Sequence, residues 1–150
     1  MIARFRLYNS LRVSSKQVNG MALRILIADD HAVFRRGVRG LLEEQPGWHV
    51  VGGASNGRQA VEMARELQPD VVVLDIRMPE LNGLDATRHI LQLSPGSEIL
   101  ILTLHNSDHS AGEVRKAGAG VYILKSDAGQ DLVASVSALQ RHTPVETQHQ

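Results

Sequence analysis

Apolar positions along the chain fall into two alternating kinds of segment. Short, nearly unbroken apolar runs lie at Arg24–Ala28, His49–Ala54, Val71–Leu74, Ile99–Leu102 and Val121–Leu124. Runs of this length, rich in Val, Ile and Leu and flanked by turn-forming residues, predict strands. Their centres recur at intervals of about 25, 22, 28 and 22 residues, the rhythm of a strand, a crossover helix and two loops. The middle runs are continuously apolar instead of alternating with polar residues. Strands of that kind are covered on both faces, which predicts an α/β protein with a parallel sheet sandwiched between helices.

Between the runs the apolar period changes to that of a helix. Phe34, Val38, Leu41 and Leu42 share one face; Val61, Ala64 and Leu67 form a second stripe, Leu84, Ile90 and Leu91 a third. Leu132, Val136 and Leu139 form the last stripe, behind Asp127. Asn56 stands where an N-cap is expected, with Gln59 three residues on as its reciprocal partner. The fourth helix, around Ala111–Ala117, is short and contains Gly112, which costs about 1 kcal/mol relative to alanine in a helix interior. It is expected to be the loosest of the five.

Length and composition narrow the function classes. A chain of 150 residues predicts one domain, assigned to residues 21–140, with a polar tail at 141–150. With 43% apolar and 21% charged residues the composition is ordinary for a globular protein. The absence of cysteine removes a disulfide framework, a thiolate zinc site and a cysteine nucleophile together. The longest apolar runs are far short of the roughly 18 residues that cross a bilayer, so no membrane span is predicted and a cytoplasmic location is expected.

The formal net charge of zero conceals an asymmetry. Residues 1–20 carry Arg4, Arg6, Arg12 and Lys16 and no acid, so 12 of the 16 basic residues face all 16 acids in the remainder, a net of −4. A mildly acidic body lacks the lysine and arginine surplus that neutralises nucleic-acid phosphates, and no specific DNA binding is expected of this chain. The basic leader has no continuous apolar stretch of the kind a secretory signal requires. It is read as a disordered extension, or as a start assigned too early, with Met21 as the natural beginning.

The polar residues that remain collect at one edge of the expected sheet. Asp29 and Asp30 follow the first strand, Asp75 ends the third, Thr103 ends the fourth and Lys125 ends the fifth. Open α/β sheets bind ligands beyond the carboxyl ends of their strands, where strand order reverses. Taken singly, Asp30 would be a helix cap, Thr103 a local backbone partner and Lys125 a solvated stem. Asp75 is less easily dismissed, because it extends Val-Val-Val-Leu into a buried position. Taken jointly, three converging carboxylates repel one another unless a cation neutralises them. An oxygen set without His or Cys favours Mg2+ over zinc. Such a site suits phosphoryl transfer to a carboxylate, with Asp75 as nucleophile, Mg2+ and Lys125 offsetting phosphoryl charge, and Thr103 bonding a phosphoryl oxygen.

The stretches Ile25-Leu-Ile-Ala-Asp-Asp-His31, Val73-Leu-Asp-Ile-Arg-Met-Pro79, Leu102-Thr-Leu-His105 and Tyr122-Ile-Leu-Lys125 closely resemble the receiver domain of two-component response regulators. The Asp-Asp-His and Leu-Thr-Leu-His forms are most similar to the NarL/FixJ-type subfamily, and the likeness covers about residues 22–140. It implies a flavodoxin-like, CheY-like (βα)5 fold with strand order 2-1-3-4-5. It also implies Asp75 as phosphoacceptor, Asp29 and Asp30 as the metal-binding acid pair, and the backbone carbonyl of Arg77 as a further Mg2+ ligand. Thr103 and Lys125 match the switch hydroxyl and lysine, Tyr122 the switch aromatic, and Arg77 and His105 occupy positions that influence phosphoryl lifetime. A sensor histidine kinase or phosphotransfer protein is the implied partner, docking on the first helix around Val33, Arg36 and Val38. A homodimer through α4-β5-α5, the face the switch would remodel, is also implied. Members of the subfamily usually continue into a helix-turn-helix domain, which nothing after Leu139 can form; a stand-alone receiver or a truncated regulator is expected. Such a chain catalyses only its own phosphorylation and dephosphorylation.

Other readings fare worse. A Mg2+-dependent phosphatase of the haloacid-dehalogenase type also uses an aspartate, a threonine and a lysine, but needs a second aspartate where this chain has Arg77. Gly53-Ala-Ser-Asn-Gly57 fits the G-x-S-x-G nucleophile elbow formally, yet is read as the turn into the second helix. A scaffold that is never phosphorylated is the non-catalytic alternative, against which the intact acid, threonine and lysine set argues.

Overall fold

The computed structural model describes residues 22–105 and 111–141. Five strands alternate with helices: β1 (Leu23–Ala28), α1 (Ala32–Glu43), β2 (Trp48–Ala54), α2 (Gly57–Leu67), β3 (Val71–Asp75), α3 (Gly83–Leu93), β4 (Glu98–Thr103), α4 (Ala111–Ala117), β5 (Val121–Leu124) and α5 (Ala128–Arg141). All pairings are parallel, in the order β2-β1-β3-β4-β5. This is the CheY-like flavodoxin topology that the family resemblance implies. The predicted strands are each found, four of them a residue longer at one or both ends. The assignments for residues 1–20 and for the tail lie outside the described residues, apart from Arg141, which ends α5.

The continuous apolar runs are explained by two cores, one on each face of the sheet. Along β3, Val71 and Val73 point to the face packed by α1 and α5, and join Leu23, Ile25, Ile27, Val38, Leu42, Leu132 and Val136. Val72 and Leu74 point the other way, to Leu26, Ala64, Ile90 and Val114 beneath α2, α3 and α4. Successive side chains in a strand point to opposite faces, so a strand covered twice must be apolar at every position. All five residues of β3 are buried accordingly. The edge strand β2 is different: its burial alternates, with His49 and Gly53 exposed.

Two glycines bring the helices close to the loops beneath them. At Gly83, the first residue of α3, an added Cβ would lie 2.3 Å from the Asp75 carbonyl oxygen and 2.8 Å from the Ile76 Cα. Gly83 also donates its N–H to the Ile76 carbonyl at 2.7 Å. These are backbone atoms, which cannot swing aside, so Gly83→Ala is expected to cost about 3 kcal/mol, the upper end for overpacking, measurable by urea unfolding, and to displace the end of β3. At Gly57 the Leu81 carbonyl is closer still. The Gly53–Gly57 stretch is indeed the turn into α2: Asn56 Oδ1 accepts the Gln59 N–H at 2.8 Å, and the Ser55 hydroxyl is tied to Gln59 Oε1 at 3.2 Å. Gln59 reciprocates one residue earlier than expected, accepting the Ser55 N–H at 2.6 Å instead of that of Asn56.

One surface assignment needs correcting. The docking face implied around Val33, Arg36 and Val38 does not include Val38, which is buried against the sheet at 4% exposure, as its place in the apolar stripe of α1 requires. Val33, at 74%, and Arg36 are exposed. A residue five positions from Val33 sits about 500° around the helix, which turns it to the opposite flank.

Candidate functional site

The parallel topology delivers the candidate residues to one edge. Ala28 pairs with Leu74, so Asp29 and Asp75 occupy successive steps beyond that pair on neighbouring strands. Asp75 pairs with Leu102 and Thr103 with Leu124, placing Thr103 and Lys125 next in line. The order reverses between β1 and β3, which is where such sheets open their binding crevice. Ligating atoms of Asp29, Asp30, His31 and Asp75 all lie within 4.8 Å of one another.

Burial makes this cluster electrostatically tense. Asp29 is fully buried and Asp75 is 3% exposed, whereas Asp30 is exposed. Lys125 bridges the buried pair: its Nζ lies 2.8 Å from Asp29 Oδ2 as an ion pair, and donates to Asp75 Oδ2 at 3.3 Å. Asp29 Oδ2 has no partner in good hydrogen-bond geometry. Burial holds the Asp75 carboxyl above its ordinary range; the Lys125 ammonium opposes this, and the Asp29 charge adds to it. Lys125 is itself raised above the usual lysine value: burial alone would push it down, but contact with Asp29 and the charges of both aspartates outweigh that.

The surrounding groups fix this geometry. The Arg77 N–H donates to Asp75 Oδ1 at 3.3 Å. The His31 N–H donates to Asp29 Oδ1 at 2.8 Å, and Arg35 Nη1 donates to the Asp29 carbonyl at 2.5 Å. The Phe34 ring lies beneath the Lys125 ammonium, 4.7 Å from Nζ to the ring centroid, within the range of cation–π attraction. An open cleft of about 500 Å3, lined by Asp30, Ile76, Arg77, Met78, Pro79 and Asn82, gives access from solvent.

Not every candidate converges. The Thr103 side chain is buried, but its hydroxyl donates to the His105 carbonyl at 3.0 Å, the local bond expected of a threonine closing a strand. Tyr122 is half-buried against the core under α2, α3 and α4, and His105 is exposed. Asp30 caps no helix, since the N-cap of α1 is His31, which makes no side-chain capping bond. Three residues of the site were not singled out from sequence. Phe34 was read only as a member of a core stripe, and Arg35 carried no signal. His31 adjoins the acid pair in the sequence, yet an oxygen-only ligand set does not include it.

A parallel sheet of this order, with three carboxylates and an ammonium at its switch point, defines a CheY-like module. Residues 25–137 match the response regulator receiver domain family, and the chain belongs to it. The transcriptional regulatory protein DegU of Brevibacillus brevis is 37% identical over 125 residues, covering 83% of this chain and 53% of DegU. A protein-glutamate methylesterase/protein-glutamine glutaminase of Alkalilimnicola ehrlichii is 42% identical over 106 residues, 70% of this chain and 27% of its own. The crystal structure of a LuxR-family two-component response regulator from Aurantimonas superposes with a TM-score of 0.75 at 38% identity, covering 81% of this chain and 88% of that one. The LuxR-family match agrees with the NarL/FixJ-type likeness. The chain spans about half the length of DegU and about a quarter of that of the methylesterase. Among the described residues no helix is long and apolar enough to cross a membrane.

Proposed function

We propose that this receiver domain accepts a phosphoryl group on Asp75 from a sensor histidine kinase or phosphotransfer protein. The observation that carries the reading is the placement of Lys125 between two buried carboxylates at the mouth of an open cleft. An Asp75 oxygen attacks phosphorus, a P–O bond forms as the P–N bond to the donor imidazole breaks, and the imidazole leaves. Lys125 already faces the position where phosphoryl charge arrives, so little reorganisation is needed.

The residues fit a divalent cation. Three carboxylates face one ammonium, and a buried aspartate oxygen lacks a hydrogen bond. Asp29, Asp30 and Asp75, with the Arg77 carbonyl, would hold Mg2+, which supplies charge neutralisation at the phosphoryl oxygens. Mg2+ at about a hundred times its Kd is expected to stabilise the fold by roughly 2.7 kcal/mol. In Asp30→Asn, whose exposed side chain contributes little to packing, most of that thermal shift should disappear.

The switch roles are those that the family likeness implies. On phosphorylation, the Thr103 hydroxyl leaves the His105 carbonyl for a phosphoryl oxygen, and Tyr122 turns further inward. The α4-β5-α5 face is remodelled, and serves as a homodimer surface; the open sheet edge at β5, half-buried at all four residues, supports this. Arg77 and His105 flank the phosphoryl group and set its lifetime. Val33 and Arg36 on α1, beside the site, suit kinase docking.

Incubation with acetyl phosphate and Mg2+, followed by intact mass, tests the reading. One phosphoryl addition, acid-stable and hydroxylamine-labile, mapping to Asp75, is the expected result. No addition, and no structural response to beryllofluoride, would leave a scaffold; continuous phosphate release from many substrates would indicate a phosphatase.

A further inference from the structure

The ligand set read from the sequence contained oxygen alone, and Mg2+ followed from that. The folded chain adds a nitrogen. We infer that His31 is a direct ligand of the cation site through Nδ1, and that it gives the site a preference for first-row transition-metal dications over Mg2+. This rests on the proposed cation site and changes its composition.

Local backbone fixes where the imidazole stands. His31 is extended (φ −95°, ψ 104°), the last residue before α1, and its N–H is held by Asp29 Oδ1 at 2.8 Å. Its side chain has no capping role, and the ring's contacts are with the acid pair, including a hydrogen bond between Nδ1 and Asp29 Oδ1. Nδ1 is found 3.2 Å from Asp29 Oδ1 and also 3.2 Å from Asp30 Oδ1. Two donors bound cis on an octahedral ion at about 2.2 Å lie about 3.1 Å apart, so these separations need almost no adjustment to share one ion. The set also holds an Asp75 oxygen within the same 4.8 Å span, and the buried Asp29 Oδ2, with only an ion pair to Lys125 and no hydrogen bond, marks incomplete neutralisation.

The competing account is an imidazole that merely hydrogen-bonds the acids at the surface, for the ring is 68% exposed. The two accounts differ in chemistry. A hydrogen-bonding or purely electrostatic histidine treats all dications alike. A nitrogen ligand discriminates: Mg2+ keeps oxygen and water, while affinity for imidazole rises from Mn2+ to Co2+. Exposure favours exchange here, because the ring can replace a water on an ion entering through the cleft.

The test uses the whole chain, with Mn2+, Co2+ and Mg2+ titrated calorimetrically at one slightly alkaline pH. His31→Asn is expected to weaken Mn2+ about 10-fold and Co2+ more, and to change Mg2+ by less than twofold. Electron spin-echo measurements on the Mn2+ form should show directly coordinated 14N in the wild type and none in His31→Asn. Mn2+ bound without nitrogen coupling, or equal losses for Mg2+ and Mn2+, would overturn the inference while leaving the cation site standing. Binding of no dication by the wild type would overturn both.

Discussion

Asp75→Asn is expected to abolish phosphoryl uptake from acetyl phosphate completely and, in the metal-free protein at neutral pH, to raise stability. The first effect follows because an amide oxygen forms no acyl phosphate. The second is less intuitive. Asp75 is 3% exposed, shares its space with the fully buried Asp29, and is held above the ordinary carboxylate range chiefly by burial. Its pKa is therefore higher folded than unfolded. Between the two values the folded chain keeps a proton that the unfolded chain has lost, so stability declines as pH rises through that window and stays lowered above it. An asparagine of the same shape removes this penalty and leaves Lys125 paired with Asp29 alone. The variant's melting midpoint at neutral pH should therefore lie above that of the wild type. Comparing the two melting curves over a pH series checks the cause. The difference should be full above the folded pKa of Asp75 and vanish below the ordinary aspartate value. A variant less stable than the wild type at neutral pH would show that the carboxylate is a net stabiliser.

The contrast between fold and site shows what a sequence of this kind makes legible. Period and position carry the fold. Val71–Leu74 is apolar at every step because two cores cover it, and the helical stripes identify the inward faces, so the five-stranded architecture follows. The site is legible to the extent that topology places it: Asp29, Asp75, Thr103 and Lys125 each stand at a strand end, and parallel strands bring such ends together. Side-chain direction is not encoded in either period. Nothing along the chain tells that the Thr103 hydroxyl faces the His105 carbonyl, or that Phe34, packed against its core, also lies under the Lys125 ammonium. Val38 shows a conflict between two expectations: its apolar stripe puts it on the inward face, where it is buried, and the docking face implied by the resemblance does not include it.

Lys125→Met should be the most destabilising single change in the site. Methionine keeps the length and apolar contacts of the stem, including the approach to Phe34, so what is lost is the ammonium. Its removal strands two buried carboxylates that are already adjacent. Taking one partner from a buried ion pair costs about 3–5 kcal/mol, because the remaining charge is left without compensation. For a domain of this size that is a fall of roughly 10–15 °C. Lys125 titrates above the usual lysine value, so its stabilisation is fully present below that ordinary value and is lost as pH rises through the raised one. The gap between wild type and variant should therefore persist across neutral pH and close only in strong alkali. On the acid side the variant should recover relative to the wild type as its stranded aspartates take up protons. A double-mutant cycle isolates the mechanism: with Asp75→Asn already in place one of the two stranded charges is gone, and Lys125→Met should cost about 1–3 kcal/mol less. Mg2+ supplies positive charge at the same carboxylates, and should restore part of the loss in the single variant. Additive effects in the cycle, with no response to Mg2+, would mean that Lys125 contributes through its stem and its contact with Phe34, and that the charge balance at the site is struck elsewhere.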